Sequence, residues 1–245
     1  MRLLLLDLET SPNQVFSWGL WDQNISLSQI IDTSSVLCYS AKWYGERRMG
    51  FDSVHKSSRK KMLKGIHAMM EEADAICTYN GNSFDLPVLN REFLTNGFSP
   101  PSPYRSIDLL PTVRKQFRFA SNKLGFVTEQ LGLGSKTKHP GFKLWVDCMA
   151  GDPRAFRLME KYNRQDIVLL ERLYDKVRPW IKGHPNHNTY GASGSCPSCG
   201  SDKLQRRGEA RNAKGSYQRF QCGGCGAWSR GDTLVKHSRK RMVAA

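Results

Sequence analysis

The stretch LLLLDLET, residues 3–10, carries the strongest structural signal in the chain, because four consecutive leucines run directly into two carboxylates. An apolar run of this length, over residues 2–8, predicts a central strand that is buried on both faces. Side chains at i and i+2 of a strand share a face, so Asp7 and Glu9 should project together from its carboxyl end. Charged residues follow the leucines at once, and we therefore expect a buried first strand here, not a signal peptide.

Hydrophobic patterning downstream predicts a layered α/β fold. Apolar residues from Met62 to Ala73 recur at helical spacing after a capping serine, Ser57 or Ser58. Further strands are predicted at 36–44, 49–54, 75–81 and 106–110, and further helices at 85–97 and 160–181, with mostly helical structure over 111–160. The predicted class is a mixed β-sheet flanked by helices, followed by a small separate module.

Two later segments can bring acidic side chains to the edge of the sheet where the first strand ends. Asp85 follows a predicted strand and opens a helix, so its side chain can reach that edge. Tyr162 and Asp166 are four residues apart on a predicted helix and therefore share a face. Ligands of open α/β sheets bind at the carboxyl ends of the strands, so we expect these groups to form one site.

Clustered carboxylates repel one another unless cations neutralise them. Oxygen ligands of this kind suit hard cations, and we expect two Mg²⁺ or Mn²⁺ ions. A cation pair of this kind can cleave a phosphodiester bond. Tyr162 suits the orientation of a water molecule, because a phenol is a poor base at neutral pH. Each of these residues also has a purely structural interpretation: a solvated strand end for Asp7 and Glu9, a helix cap for Asp85, and a solvated helix face for Tyr162 and Asp166. Asp108 and Asp147, which lie near predicted element ends, are assigned structural roles.

At this point the chain resembles a known family. Asp-x-Glu at 7–9, Asn-x3-Phe-Asp at 80–85 and Tyr-x3-Asp at 162–166 resemble the three motifs of the DEDD 3′–5′ exonucleases. With Tyr162 in the third motif, the chain is similar to the DEDDy branch of this family, which includes the proofreading domains of family B DNA polymerases. The resemblance covers about residues 1–182 and implies an RNase H-like fold.

The same resemblance implies a role for each motif residue. The implied metal ligands are Asp7, Glu9, Asp85 and Asp166, and Tyr162 is implied to position the water. Asn80 and Phe84 are implied to hold the second motif and the terminal nucleotide in place.

The formal net charge of +15 is concentrated towards the C-terminus. Residues 184–245 carry 11 basic and 3 acidic side chains, a difference of +8, which leaves +7 for residues 1–183. A positive field of this kind attracts a polyanion, and we expect nucleic acid as the partner. A basic surface that serves only solubility is the alternative.

Two Cys-x-x-Cys-Gly motifs predict a structural zinc site. Cys196 and Cys199 are followed after 22 residues by Cys222 and Cys225, with two strands predicted between the motifs and joined at Lys214-Gly215. A redox-active dithiol is the alternative. The predicted organisation is a nuclease domain at 1–183, a linker at 184–194, a zinc ribbon at 195–235 and a basic tail at 236–245.

Basic and aromatic residues alternate within the predicted ribbon, which suits a single strand whose phosphates meet charges and whose bases stack. The candidate substrate-binding residues are Arg206, Arg207, Arg211, Lys214, Tyr217, Arg219 and Trp228. Phe220 is assigned to the small core of the ribbon. The remaining thiols, Cys38, Cys77 and Cys148, are predicted to be buried.

These patterns together predict a two-metal nuclease with one structural Zn²⁺, and the resemblance implies that it is a 3′–5′ exonuclease. We therefore expect its ribbon to hold DNA with a single-stranded 3′ end. An RNA-directed or structure-selective nuclease, or a non-catalytic nucleic-acid-binding protein, is the alternative, and the ribbon could instead dock a replication or recombination protein. The cysteine pattern predicts a reducing, cytoplasmic and nucleoid-associated location. No apolar run is long enough to predict a membrane span.

Overall fold

The computed structural model describes residues 1–191 and 194–237. The chain divides into one compact unit of residues Arg2–Tyr174 and a second that begins at Asp175. The predicted basic tail from residue 238 onward lies outside the described residues, whereas 236 and 237 end a strand.

The first unit is built on a five-stranded mixed sheet, which confirms the predicted fold class. The unit has seven strands, five in this sheet and two in a separate pair. They are β1 (Leu3–Thr10), β2 (Gln14–Val15), β3 (Ile30–Asp32), β4 (Val36–Trp43), β5 (Met49–Ser53), β6 (Ala75–Thr78) and β7 (Arg105–Asp108). The order in the main sheet is β5-β4-β1-β6-β7, and β2 pairs with β3 separately. Strand β1 is antiparallel to β4 and parallel to β6, so the leucine-rich strand is central, as predicted.

Six helices accompany the sheet: α1 (Arg59–Glu71), α2 (Asp85–Thr95), α3 (Leu109–Gln116), α4 (Leu124–Gln130), α5 (Lys143–Met149) and α6 (Pro153–Val177). Leu4, Leu6 and Leu8 pack with α1 and α2 in one core cluster. Leu37 and Cys38 of β4 pack with α5 and α6 in a second cluster. Burial of both faces therefore explains the unbroken apolar run of β1.

Helix α1 follows its sequence pattern closely. Met62, Leu63, Ile66 and Met70 are fully buried along one face. The Ser58 side chain accepts a hydrogen bond from the Lys61 backbone N–H and caps the helix. Of the two serines that could have served as the cap, Ser58 is therefore the one that does.

Several predicted boundaries were wrong, including the end of α6 at Val177 where 181 was predicted, and two of the errors have a clear cause. The strand predicted at 106–110 ends at Asp108, because the Asp108 carboxylate accepts the Leu110 backbone N–H and starts α3. Helix α6 begins at Pro153, seven residues before the predicted start at 160. Asp152 accepts the Arg154 backbone N–H there, and proline is favoured in the first turn of a helix.

The second unit contains a three-stranded antiparallel sheet, in the order β10-β9-β8. Its strands are β8 (Leu204–Asn212), β9 (Gly215–Cys222) and β10 (Trp228–His237). The first two are the predicted pair, but the turn between them is Ala213-Lys214, one residue before the predicted Lys214-Gly215, because Gly215 already pairs with Asn212. The third strand was not predicted, because Trp228–His237 contains a Gly-Asp pair and only weak apolar alternation.

The segment between β1 and β4 has an unusual surface, for which no structure was predicted. Trp18, Leu20 and Trp21 are 99%, 91% and 83% exposed, respectively. Among the helices in the described part of the chain, none has the length and apolar character that crossing a membrane requires.

Candidate functional site

Three of the four predicted carboxylates meet at the carboxyl end of β1. Asp7 and Glu9 project from β1 and Asp166 from α6, and each offers one oxygen within 4.8 Å of the others. Asp166 is only 3% exposed. Strand alternation and helix position thus bring together residues that are more than 150 positions apart in sequence.

The fourth carboxylate, Asp85, lies outside this group of three but against the same strand. Its Oδ1 atom accepts the Leu8 backbone N–H at 3.0 Å, between the two acidic residues of β1. The side chain is 4% exposed at the first position of α2. Asp85 is therefore attached to the backbone that carries Asp7 and Glu9.

A tight turn before α2 sets the position of Asp85. Asn80 has a positive φ of 71°, and a Cβ atom on Gly81 would lie 2.2 Å from Thr78 Oγ1, so only glycine fits there. The Asp108 carboxylate accepts the backbone N–H groups of Asn80 and Asn82 at 2.8 and 3.1 Å. Asp108 thus holds the turn, in line with the structural role assigned to it.

The carboxylates are buried and close together, and both effects raise their pKa values. Burial, followed by repulsion from Asp166, raises the pKa of Glu9 to about 8. Burial raises the pKa of Asp85 to about 7, although the Leu8 N–H opposes the shift. The pKa of Asp7 is raised well above its ordinary value by burial and by Asp166. The cluster therefore favours protons or cations among its oxygens.

The sequence analysis missed Lys136, which contacts both predicted residues of α6. Its Nζ atom lies 2.6 Å from Asp166 Oδ2 and 2.9 Å from Tyr162 Oη. Burial alone would lower the pKa of Lys136, but Asp166 and Tyr162 raise it above its ordinary value. Lys136 lies in the irregular segment between α4 and α5, where no periodic pattern could have marked it.

Asn163 and Trp145 also hold the carboxylates and were missed. Asn163 Nδ2 donates to Asp7 Oδ2 at 2.6 Å, and Trp145 Nε1 donates to Glu9 Oε2 at 3.2 Å. Asn163 is fully buried beside Tyr162 in the third motif. A buried amide beside a motif residue is a signal that sequence reasoning could have used.

Aromatic rings fix the orientation of Tyr162, which is 8% exposed. The His139 ring meets it edge-to-face at 4.9 Å, and the Trp145 ring does so at 6.1 Å. Burial, followed by the charge of Asp166, raises the pKa of the Tyr162 hydroxyl to about 12. The hydroxyl is thus neutral near pH 7 and acts as a hydrogen-bonding group.

The carboxylate oxygens of this site have the chemistry that divalent cations require. Asp166 Oδ1 is buried and has no hydrogen-bond partner among the described residues. An unsatisfied carboxylate oxygen is costly to bury unless a proton or a cation meets it. Asp166 lies beside Asp7 and Glu9, and the three carboxylates together offer hard oxygen donors that suit Mg²⁺ or Mn²⁺.

A cavity of about 810 Å³ opens onto the carboxylates. Asp7, Asp166 and Lys136 line it, together with Asn80 and the exposed basic residues Arg114 and Lys123. Phe84 is 40% exposed at the N-terminus of α2. The cavity thus combines acidic groups at one side with positive charges that can meet phosphates.

The four paired cysteines converge in the second unit. Cys196 Sγ lies 3.7 Å from Cys225 Sγ, and Cys199 Sγ lies 3.6 Å from Cys222 Sγ. Sulfur atoms at the corners of a tetrahedron around Zn²⁺, with bonds of about 2.3 Å, are about 3.8 Å apart. The observed spacing therefore fits a tetrahedral zinc site.

The turns at these cysteines match their glycines. Gly200 and Gly226 have φ angles of 74° and 80°, which favour glycine. Each donates its N–H to the carbonyl of the first cysteine of its pair. Backbone N–H groups of Cys225 and Gly224, together with neighbouring thiols, lower the pKa of Cys222 to about 7, against the effect of burial. A thiolate of this kind is the form that binds zinc.

Most predicted binding residues of the ribbon are exposed, but Tyr217 is not. Exposed side chains are Arg206, Arg207, Arg211, Lys214, Arg219 and Trp228. Tyr217 is 5% exposed, and the Arg230 guanidinium lies 4.2 Å from its ring centroid. Of the two proposed stacking aromatics, only Trp228, at 54% exposure, presents its ring to solvent.

Comparison with known proteins places this geometry in context. A family model described as RNase_H superfamily matches residues 36–178. The solved structure of the family B DNA polymerase from the hyperthermophilic archaeon Pyrobaculum calidifontis is similar, with a TM-score of 0.57 and 16% identity. The similarity covers 89% of this chain but only 32% of the polymerase chain. No curated protein matches the sequence.

Proposed function

Because the chain belongs to the RNase H superfamily, we propose that it is a metal-dependent 3′–5′ exonuclease of the DEDDy branch. The observation that carries this proposal is the convergence of Asp7, Glu9 and Asp166 with a tyrosine that Lys136 contacts. A fold alone does not define an activity, but this set of groups is suited to one reaction class. That class is hydrolysis of a phosphodiester bond.

The proposed metal ligands are Asp7, Glu9, Asp85 and Asp166. Two Mg²⁺ or Mn²⁺ ions held there would supply an activated water and neutralise charge on the leaving oxygen. The protein's own part is to hold the carboxylates, through Asn163 at Asp7 and Trp145 at Glu9. These contacts fix the ligands before substrate arrives, which lowers the cost of reorganisation.

Tyr162 is proposed to orient the attacking water. Its hydroxyl stays protonated near pH 7, and Lys136 donates to the hydroxyl oxygen, which leaves the hydroxyl proton for donation. Lys136 also balances part of the negative charge on Asp166. The pair thus acts by positioning and electrostatics, and Tyr162 does not act as a base.

The proposed substrate is nucleic acid with a single-stranded 3′ end. Arg114 and Lys123 in the large cavity suit its phosphates. Asn80, which also lines the cavity, and exposed Phe84 are the proposed contacts of the terminal nucleotide. DNA is proposed first because the similar structure is that of a DNA polymerase. RNA remains the alternative substrate to be tested on the same site.

The cysteine cluster is proposed to form a zinc ribbon at 195–235 that holds substrate. Its own core contains little beyond Cys196, Cys222 and Ala227, so the ribbon should depend on Zn²⁺ to fold. Exposed Arg219 of β9 suits a phosphate backbone, and exposed Trp228 suits stacking with a base. If the ribbon instead docks a replication or recombination protein, its deletion should leave the affinity for nucleic acid unchanged.

The proposal is tested by incubating the protein with single- and double-stranded DNA and RNA, labelled at either end, in Mg²⁺. A 5′-labelled single strand should shorten progressively, whereas a 3′-labelled strand should release its labelled mononucleotide at once. Absence of metal-dependent cleavage on every substrate would refute the nuclease proposal. Release from the 5′ end would refute the polarity alone.

A further inference from the structure

Two arginines of the three-stranded sheet directly oppose each other. Arg219 of β9 is the cross-strand partner of Arg230 of β10, and directly opposed residues share one face of a sheet. Trp228, two residues before Arg230, lies on the same face. Like charges in this arrangement destabilise a sheet, so an anion between them would be favourable.

Aromatic rings and backbone carbonyls hold both guanidinium groups. Arg219 lies 5.0 Å from the Trp228 ring centroid and donates from Nε to the Arg207 carbonyl at 2.8 Å. Arg230 lies 4.2 Å from the Tyr217 ring centroid and donates to the Gly231 carbonyl at 3.0 Å. Among the described residues, neither arginine forms a salt bridge. Both charges are therefore oriented in advance and available to an external anion.

The other face of the sheet carries comparable charge in a different setting. Arg206 is the cross-strand partner of Phe220, and Arg211 is the partner of Ser216. Phe220 and Ser216 alternate with Arg219 along β9, so these arginines lie on the opposite face. The two faces thus offer matched pairs of exposed arginines, only one of which is a directly opposed pair.

We propose that the face with Arg219, Arg230 and Trp228 is the surface on which the ribbon binds single-stranded nucleic acid. A backbone phosphate lies between the two guanidinium groups, and a neighbouring base stacks on the exposed part of Trp228. The inference rests on the proposed function, and it adds Arg230 and a defined face to it. Of the residues predicted to bind substrate, Arg206 and Arg211 lie on the opposite face, and we expect them to make no direct contact.

The test compares two double variants of the full chain, R219Q/R230Q and R206Q/R211Q, which remove the same charge from opposite faces. Binding to a fluorescent oligo-dT of about 20 nucleotides is measured against salt, in an Asp7→Asn background that prevents cleavage. R219Q/R230Q should bind about tenfold more weakly, with a log–log salt slope shallower by about 0.7, as expected for one lost phosphate contact on a single strand. R206Q/R211Q should stay within about twofold of the parent.

Further arms keep the result interpretable. Trp228→Ala should weaken binding by about tenfold without changing the salt slope, since it removes stacking and no charge. Zinc content is measured for every variant, and if R219Q/R230Q loses zinc, the single variant Arg230→Gln takes its place. Equal losses from both arginine pairs, a larger loss from R206Q/R211Q or no loss from R219Q/R230Q would each overturn the proposal.

Hydrolysis of a dinucleotide, with Asp7 intact, separates this inference from the proposed function. A dinucleotide has a single internucleotide phosphate, which must lie at the carboxylates to be cleaved, so both arginine variants should cleave it at the parent rate. If the parent itself failed to cleave dinucleotides and longer substrates alike, the nuclease proposal would fall. The binding comparison between the two faces would still decide the inference about the ribbon.

Discussion

The Lys136 ammonium group donates a hydrogen bond of 2.9 Å to the Tyr162 hydroxyl oxygen. An ammonium group has no acceptor, so the direction of this bond is fixed and the hydroxyl proton is left to be donated elsewhere. Lys136 also pairs with Asp166 at 2.6 Å. One side chain thus orients the proposed water-positioning group and neutralises part of a proposed metal ligand.

Replacing this lysine should slow the reaction without unfolding the protein. We expect Lys136→Met to lower kcat by about 10- to 100-fold in Mg²⁺, because Tyr162 loses its donor and Asp166 its counter-charge. Lys143→Met is the matched control, since Lys143 forms an exposed pair with Asp147 four residues away. Single-turnover rates on a labelled oligonucleotide measure both. Equal rates for Lys136→Met and wild type would remove Lys136 from the site.

Tyr162→Phe isolates the hydroxyl, because the ring and its contacts with His139 and Trp145 are retained. The rate of cleavage should fall by about 10- to 1000-fold, as for the loss of a positioned hydrogen-bonding group. Substrate affinity, measured by fluorescence anisotropy, should barely change. An unaltered rate would mean that Tyr162 is only a packed aromatic residue.

The raised pKa values predict how pH and metal affect stability. In the folded chain, Glu9 and Asp85 have pKa values of about 8 and about 7, both above their values in the unfolded chain. At any pH between the unfolded and the folded pKa values, the folded state therefore binds more protons than the unfolded state. The metal-free protein should therefore lose stability progressively as pH rises from about 4 to about 8, with little further change above that. Mg²⁺ should raise the melting temperature by several degrees at about pH 9 and much less at about pH 6. A Mg²⁺ effect that is equal at both values would contradict this assignment.

Loss of the zinc ligands should separate binding from chemistry. In Cys222→Ser/Cys225→Ser, the ribbon should unfold, because its core cluster consists of little but Ala227 and the proposed zinc ligands. Affinity for a long oligonucleotide should fall and depend less steeply on salt, while dinucleotide cleavage at saturating concentration should persist. If affinity and salt dependence both remained at wild-type values, the ribbon would have to bind something other than the substrate.

Periodic burial and motif spacing are local signals, so the sequence could predict the five strands of the main sheet and the approach of Asp7, Glu9 and Asp166 to one another. The run at 3–10, the α1 face and the cap at Ser58 all follow from residues within a few positions of one another. Boundaries failed where a single carboxylate ended or began an element, as Asp108 and Asp152 do. The effect of such a capping carboxylate is limited to one turn of chain, so the hydrophobic pattern does not reveal it.

The missed parts of the site depend on tertiary contacts that no local pattern contains. Lys136 reaches α6 from an irregular segment, and Trp145 reaches Glu9 across 136 positions of sequence. Strand β10 was missed because its pairing with β9 supplies what its own sequence lacks. The opposed arginines followed only from the register of those two strands.

The most direct test of the central claim is the release of mononucleotides from a 3′-labelled single-stranded DNA oligonucleotide, with and without Mg²⁺. Wild type and Asp7→Asn are compared, since Asp7 is a proposed metal ligand whose loss should leave the fold intact. We predict labelled mononucleotide as the first product of wild type in Mg²⁺, and no product from Asp7→Asn or without metal. Near wild-type release by Asp7→Asn, or release that needs no divalent cation, would contradict the assignment of this site.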